Sequence, residues 1–85
     1  MNSLIKYTSN KAGRNGCTIA FRVAPGYFAV GCSKLRKGDR FERGEAIRVA
    51  KLNALENQIP LSMKKEREEM QRRAALYFKG DTVIA

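Results

Sequence analysis

Residues 17–33 decide the fold, and they read CTIAFRVAPGYFAVGCS. β-Branched, aromatic and small apolar residues, which favour strands, lie on both sides of Pro25 and Gly26. Proline presets φ for a turn and glycine accepts a positive φ, so this pair predicts a tight hairpin. The stretch therefore predicts two antiparallel strands, over residues 17–24 and 27–33.

The turn also predicts a register for this hairpin. If Ala24 faces Tyr27, then Phe21 faces Val30, and the inward side chains form one apolar core face. That face comprises Cys17, Ile19, Phe21, Val23, Phe28, Val30 and Cys32. The opposite face would be open, small, polar and basic, with Thr18, Ala20, Arg22, Ala24, Tyr27, Ala29, Gly31 and Ser33.

A third strand precedes the hairpin. Residues 4–9 share its β-branched and aromatic composition, and residues 10–16 contain the Asn, Gly and Lys that favour loops. The first 38 residues thus predict a three-stranded antiparallel sheet.

A helix is predicted over residues 40–57, because Asp39 at the cap and Glu42 three residues later form a capping box. It has two apolar stripes on nearly opposite sides. One consists of Phe41, Val49, Leu52 and Leu55, and the other of Ala46, Ile47, Ala50 and Ala54. Such a helix is expected to be sandwiched, with the Ala-rich stripe allowing close approach to the sheet or to another helix.

A second, basic helix is predicted over residues 63–79, with Ser62 as its cap and Gly80 at its end. Its first half carries almost no apolar side chains and is expected to project into solvent. Its basic residues either contact phosphates or lie on a solvated face with i,i+4 pairs such as Lys65 with Glu69 and Glu68 with Arg72; they are Lys64, Lys65, Arg67, Arg72 and Arg73. Residues 82–84 would add an edge strand or fray. The fold class is therefore α+β, with one sheet packed on one helix and a second helix following.

The charge is unevenly distributed along this single expected domain of residues 1–85. The chain holds 17 Lys and Arg, 8 Asp and Glu and no His, for a net charge of +9. Residues 1–38, the sheet segment, contain no acidic residue, whereas residues 39–85, the helical segment, are nearly balanced. A basic surface follows, which either binds an anionic partner or is ordinary solvated surface. The candidate contact residues are Lys11, Arg14, Arg22, Tyr27, Lys34, Arg36, Lys37, Arg40 and Arg43.

Catalytic chemistry has little support in the sequence. Without histidine the chain lacks the usual general base near neutral pH and the commonest zinc ligand. Cys17 and Cys32 have no second cysteine pair nearby, so they are interpreted as reduced core thiols rather than a metal site or a disulfide. Residues 37–40 read KGDR and lack the remainder of a phosphate-binding loop. We expect no enzymatic activity, no metal and no cofactor.

A resemblance covers about residues 28–55. Its motif consists of Val30, Gly31 and Ser33, then Lys37, Gly38, Asp39, Phe41 and Arg43, followed by the Ala-rich helix. This pattern resembles small accessory proteins encoded by bacteriophages, in which a hairpin leads into a Lys/Asp/Phe segment that opens a helix. The resemblance implies a host-interaction role, of which anti-CRISPR inhibition is one kind, but implies no particular binding residue. The basic second helix departs from that pattern, and the charge is opposite to that of acidic DNA mimics.

Two functions are therefore expected. The first is a non-enzymatic inhibitor or adaptor that docks on a host protein or nucleoprotein complex through its basic surface. The second is a small DNA- or RNA-binding module that contacts the phosphate backbone. The expected architecture also looks like phage integrase arm-binding and plant AP2-type domains, which read DNA with a sheet. No apolar run reaches the roughly 18 residues of a membrane span, so a cytoplasmic location is expected, in the host if the protein is phage-encoded.

Overall fold

The computed structural model describes residues 3–78, which form an α+β fold. The predicted fold class is confirmed: a three-stranded antiparallel sheet in the order β1-β2-β3 packs with two helices. Residues 80 and 82–84, for which a helix end and a strand were predicted, lie outside the described residues. The elements are β1 (Ser3–Asn10), β2 (Gly13–Ala24), β3 (Tyr27–Lys34), α1 (Arg43–Glu56) and α2 (Lys64–Tyr77).

The first hairpin is tighter than predicted. Asn10 pairs with Gly13, and the side-chain oxygen of Asn10 accepts a hydrogen bond from the backbone N–H of Ala12 at 2.9 Å. The strands stay paired up to this turn, with a register shift between Thr8 and Ser9. The predicted loop over residues 10–16 is therefore wrong, because Asn10 closes the turn locally and the following residues join β2.

The second hairpin has the predicted turn but not the predicted register. Ala24 pairs with Tyr27, yet Val23 has no direct partner, since the register shifts between residues 22 and 24. Beyond this irregularity Ala20, rather than Phe21, faces Val30. Because strand side chains alternate between faces, a shift of one residue moves the apolar side chains of β3 to the other face of the sheet. Both faces of the sheet are consequently apolar.

Helix α1 covers one face of the sheet at very short range. A Cβ atom added to Gly31 of β3 would lie 2.2 Å from the backbone oxygen of Ala50 and 2.3 Å from the backbone nitrogen of Ala54. The predicted close approach of the Ala-rich stripe is thereby confirmed. The opposite stripe is not sandwiched, because Leu52 is 44% exposed and Leu55 is 62% exposed. The buried cluster on this side consists of Cys17, Ile19, Phe21, Ala50 and Ala54.

The start of α1 differs from the predicted capping box. The helix begins at Arg43, and its N-cap residue Glu42 makes no side-chain capping hydrogen bond. Asp39 instead belongs to a turn, in which its backbone N–H donates to the oxygen of Arg36 at 3.1 Å. Phe41 lies before the helix, where its ring contacts Tyr7 of β1 with centroids 6.1 Å apart. The backbone of Glu42, the next residue, is extended. The helix therefore begins at Arg43 and not at residue 40 as the sequence predicted.

Helix α2 covers the opposite face, which the sequence had predicted to be open. Met70, Ala74 and Phe78 form a buried cluster with Ala20 and Val30. The small residues of this face are therefore core residues rather than a contact surface, because α2 excludes solvent from them. Thr18 and Ala20, for example, are 0% exposed.

The first half of α2 packs against the sheet instead of projecting into solvent. Met63, the last residue of a short 3-10 helix that leads into α2, is buried and is the N-cap, without a side-chain capping bond. The predicted cap at Ser62 is therefore wrong. Lys6 of β1 hydrogen-bonds Glu69 and lies 3.6 Å from Glu66, which attaches this half of the helix to the sheet. Those carboxylates have a cross-element partner that the sequence pattern did not reveal.

One backbone carbonyl of β3 is bonded by a side chain of α1. The side-chain amide of Asn53 in α1 donates a hydrogen bond of 2.7 Å to the backbone oxygen of Cys32. An edge strand presents unpaired backbone groups, and a side chain that satisfies one of them protects the edge.

No helix within residues 3–78 is long and apolar enough to span a membrane.

Candidate functional site

The β1–β2 turn and the carboxyl end of β3 meet at one end of the sheet. Gly16 pairs with Lys34, and the backbone N–H of Leu35 donates to the oxygen of Asn15 at 2.6 Å. The chain then turns and enters α1, whose first residues lie at the same end. We call this surface the basic end; its cations are Lys11, Arg14, Lys34, Arg36, Lys37, Arg40 and Arg43.

Two of the sequence-predicted contact residues lie elsewhere. Arg22 and Tyr27 flank the β2–β3 turn, at the other end of the sheet. Arg22 is eight residues along β2 from Arg14, which corresponds to roughly 26 Å at the rise of an extended strand. The nine candidates therefore do not form one surface: seven gather at the basic end, and two are separated from it by the length of the hairpin.

The basic end carries little opposing charge. Its nearest carboxylates in sequence are Asp39, Glu42 and Glu45, and Glu45 is engaged by Arg48, whose Nε donates to Oε2 at 3.0 Å. This hydrogen bond lowers the pKa of Glu45 and raises that of Arg48. Within residues 3–78, no ion pair joins any of the seven cations of the basic end to a carboxylate. The three nearest carboxylates in sequence are outnumbered by the seven cations, and Glu45 is shared with Arg48, so the net charge of this end is positive.

Aromatic contacts fix part of this surface in place. The guanidinium carbon of Arg14 lies 4.5 Å from the centroid of the Tyr7 ring, within cation–π range. The same Tyr7 ring makes an edge contact with Phe41, at an interplanar angle of 66°. Since Tyr7 belongs to β1 and Phe41 precedes α1, these contacts tie the β3–α1 segment to the sheet and hold Arg14 beside it.

A groove of about 700 Å³ opens beside this surface, between the carboxyl end of β3 and α1. Phe41 and Val49 contribute apolar lining, and Lys34, Arg36 and Arg40 contribute positive charge.

Asn15 also lines the groove, and its side-chain oxygen is buried without a hydrogen-bond partner in the described part of the chain. The groove is not predictable from the sequence pattern because its walls come from β2, β3 and α1. Their juxtaposition depends on the register and on where the helix begins.

The two cysteines have the environment of core residues. Both thiols are buried and free, and they lie on opposite faces of the sheet because Thr18, the neighbour of Cys17, is the partner of Cys32. The Sγ atoms contact Ser33 Oγ at 3.6 Å and Thr18 Oγ1 at 3.4 Å. Burial raises the pKa of both thiols, which disfavours the nucleophilic thiolate.

Metal-ligating side chains are not clustered: residues 3–78 contain no group of three or more His, Cys, Asp or Glu placed to hold a metal ion.

No protein family, curated protein or solved structure matches the chain.

Proposed function

We propose that this protein is a non-enzymatic binding protein whose basic end contacts the phosphate backbone of a nucleic acid. One observation carries the proposal: seven cations gather at one end of the fold, and none of them is paired with a carboxylate within residues 3–78. Phosphate contacts need little more than Lys and Arg side chains that can reach the backbone. Lys34, Arg36 and Lys37 are exposed and meet that requirement.

The covered sheet argues for a particular mode of contact. An AP2-type module reads DNA with an open sheet face, whereas here α1 and α2 pack on the two faces of the sheet. The available contacts come from turns and element ends, which suit the phosphate backbone better than base edges in a groove. Binding is therefore expected to tolerate many sequences.

Salt dependence tests this function directly. Fluorescence anisotropy of a labelled duplex of about 24 base pairs, titrated at several salt concentrations, gives the slope of log affinity against log salt. Contacts from five to seven cations predict a slope between about −4.5 and −6.3, since each neutralised phosphate contributes about −0.9. A slope near zero, or no binding at low salt, would contradict the proposal.

A second candidate is the phage-type host-interaction role, in which the protein inhibits a host nucleoprotein complex such as a defence system. It is favoured by the leucines of α1 and the following segment: Leu52 and Leu55 are exposed, and Leu61 is 90% exposed. Protein interfaces need an apolar centre within a polar rim. Affinity capture from a bacterial lysate, with and without nuclease, separates the two functions. Protein partners that survive nuclease support the second, and loss of all partners supports the first.

A further inference from the structure

The groove at the basic end has the size and lining of a ligand site. Its volume of about 700 Å³ lies in the range of small-molecule pockets, roughly 300–1,000 Å³. We propose that it receives one unpaired nucleotide of a single-stranded nucleic acid, an inference that rests on the phosphate binding proposed above. A base held in a duplex is stacked and paired, so only an unpaired base can enter such a groove.

Apolar walls provide a place for the base. Phe41 and Val49 line the groove, and the Phe41 ring is in edge contact with Tyr7 of β1. Proteins that bind single strands stack bases on aromatic rings, which is tolerant of sequence because every base has a π-face. A ring that is already fixed loses little side-chain entropy when a base packs against it.

Polar groups divide into two sets that match the two parts of a nucleotide. Asn15 Oδ1 is a buried acceptor without a partner among residues 3–78, and the Asp39 and Glu42 carboxylates also line the groove. The exposed carboxylates of Asp39 and Glu42 accept hydrogen bonds from the amino and imino groups of a base, and the buried Asn15 oxygen gains one if its side chain turns towards the groove. The cations Lys34 and Arg36 line the same groove and supply charge for the phosphates on either side.

Two tryptophan variants on one helix test the inference. Val49→Trp fills the groove, whereas Leu52→Trp places the same side chain three residues further along α1, outside the groove lining. The probes are a mixed-sequence single strand of about 12 nucleotides and the duplex that it forms with its complement. A single strand has the lower charge density, so backbone attraction alone favours the duplex. A preference for the strand that the groove variant removes and the control variant keeps is therefore assigned to an unpaired base in the groove.

We expect the wild-type protein to bind the strand tighter than the duplex, because a stacked base contributes about tenfold or more and so exceeds the backbone preference for the duplex. Val49→Trp should lose about tenfold in strand affinity and change duplex affinity by less than about twofold, and Leu52→Trp should change neither. Phe41→Leu keeps an apolar side chain but removes the aromatic face, so its strand affinity should also fall. This second variant covers the case in which Val49→Trp does not fold.

Equal affinity for strand and duplex, or equal effects of the two tryptophans, would overturn the nucleotide site. Steep salt dependence of duplex binding would then still support the proposed backbone contact. Absence of binding to either probe would overturn both proposals.

Discussion

Gly31 of β3 lies directly against the backbone of Ala54 in α1, so that a Cβ at position 31 would be 2.3 Å from the Ala54 nitrogen. Real side-chain atoms do not approach a backbone so closely, and the contact therefore requires glycine. It brings α1 close enough for a core made of small side chains, with Ala50 and Ala54 both buried. The groove at the basic end depends on this placement, because α1 supplies one of its walls.

Gly31→Ala should destabilise the fold by about 3 kcal/mol or more, because the added methyl group meets helix backbone that cannot rotate away. Chemical denaturation monitored by circular dichroism measures this loss. Gly44→Ala is the matched control: its new Cβ would meet only the flexible end of Glu42 at 3.1 Å, and alanine favours helix by up to about 1 kcal/mol. A Gly31→Ala protein as stable as the wild type would show that α1 does not pack in this way.

Phe21 and Leu52 should respond very differently to truncation. Phe21 is 3% exposed in the cluster under α1, so Phe21→Ala should cost about 3–5 kcal/mol through lost burial and the cavity left behind. Leu52 is 44% exposed, so Leu52→Ala should change the free energy of unfolding by less than about 0.5 kcal/mol. Urea titrations of both variants test this pair, and a larger loss at Leu52 than at Phe21 would contradict the core assignment.

The thiols of Cys17 and Cys32 should be unreactive in the folded protein. Both are buried, and burial raises the pKa of each, so a thiol reagent such as dithionitrobenzoate should react at the rate of unfolding. In urea both thiols should react at once, which is the control. The double variant Cys17→Ala, Cys32→Ala should fold and bind like the wild type, whereas fast labelling of the native protein would indicate an accessible, functional thiol.

Lys6 and Glu69 should make stability depend on pH. Their hydrogen bond lowers the pKa of Glu69 below its ordinary 4.5 and raises that of Lys6 above its ordinary 10.5. Because the pKa of Glu69 is lowered in the folded protein, its stabilisation is present above its ordinary pKa and is lost as pH falls through the lowered pKa. Because the pKa of Lys6 is raised in the folded protein, its stabilisation is lost as pH rises through the raised pKa. The pair therefore stabilises the fold across the neutral range.

Lys6→Met should accordingly reduce the free energy of unfolding more at about pH 7 than at an acidic pH below the lowered pKa of Glu69, where the ion pair is lost. Urea denaturation at the two pH values measures this. Lys65→Met is the control, since Lys65 is exposed and has no ion pair among residues 3–78. An equal loss at both pH values for Lys6→Met would show that the pair does not form.

Composition and turn chemistry predicted the elements of this fold, but not their pairing. Pro25 and Gly26 indicate the second hairpin, and the Ala-rich stripe indicates the close face of α1. The irregularity at Val23 has no local signature, yet it shifts β3 by one residue and turns a one-sided sheet into a two-sided one. The nearly continuous apolar run of residues 17–21 is itself typical of a strand buried on both faces, and it was the available signal.

The charge distribution predicts a basic surface, but not which of its residues lie together. The absence of acidic residues before Asp39 indicates a basic surface without any knowledge of the fold. Sequence alone does not show that Arg22 and Tyr27 lie at the far end of the hairpin, because this depends on strand length and turn position. Nor does it reveal the groove around Asn15, whose walls meet only after the register and the start of α1 are fixed.

Charge reversal at the basic end measures whether this surface is the one that binds nucleic acid. Lys34, Arg36 and Lys37 are to be changed to Glu in one variant, and the equally exposed Lys51, Lys65 and Arg72 in another, so that the two proteins have the same net charge. Arg67 is avoided because it is partly buried, with its Nε in the interior.

Duplex binding is then measured across salt concentrations. We expect the basic-end variant to lose most of its affinity and its salt slope to be shallower by about 2–3, because three phosphate contacts are gone. The variant outside the basic end should stay near the wild type, apart from a modest loss from its altered net charge. Equal losses in the two variants, or a larger loss in the second, would contradict the assignment of binding to the basic end.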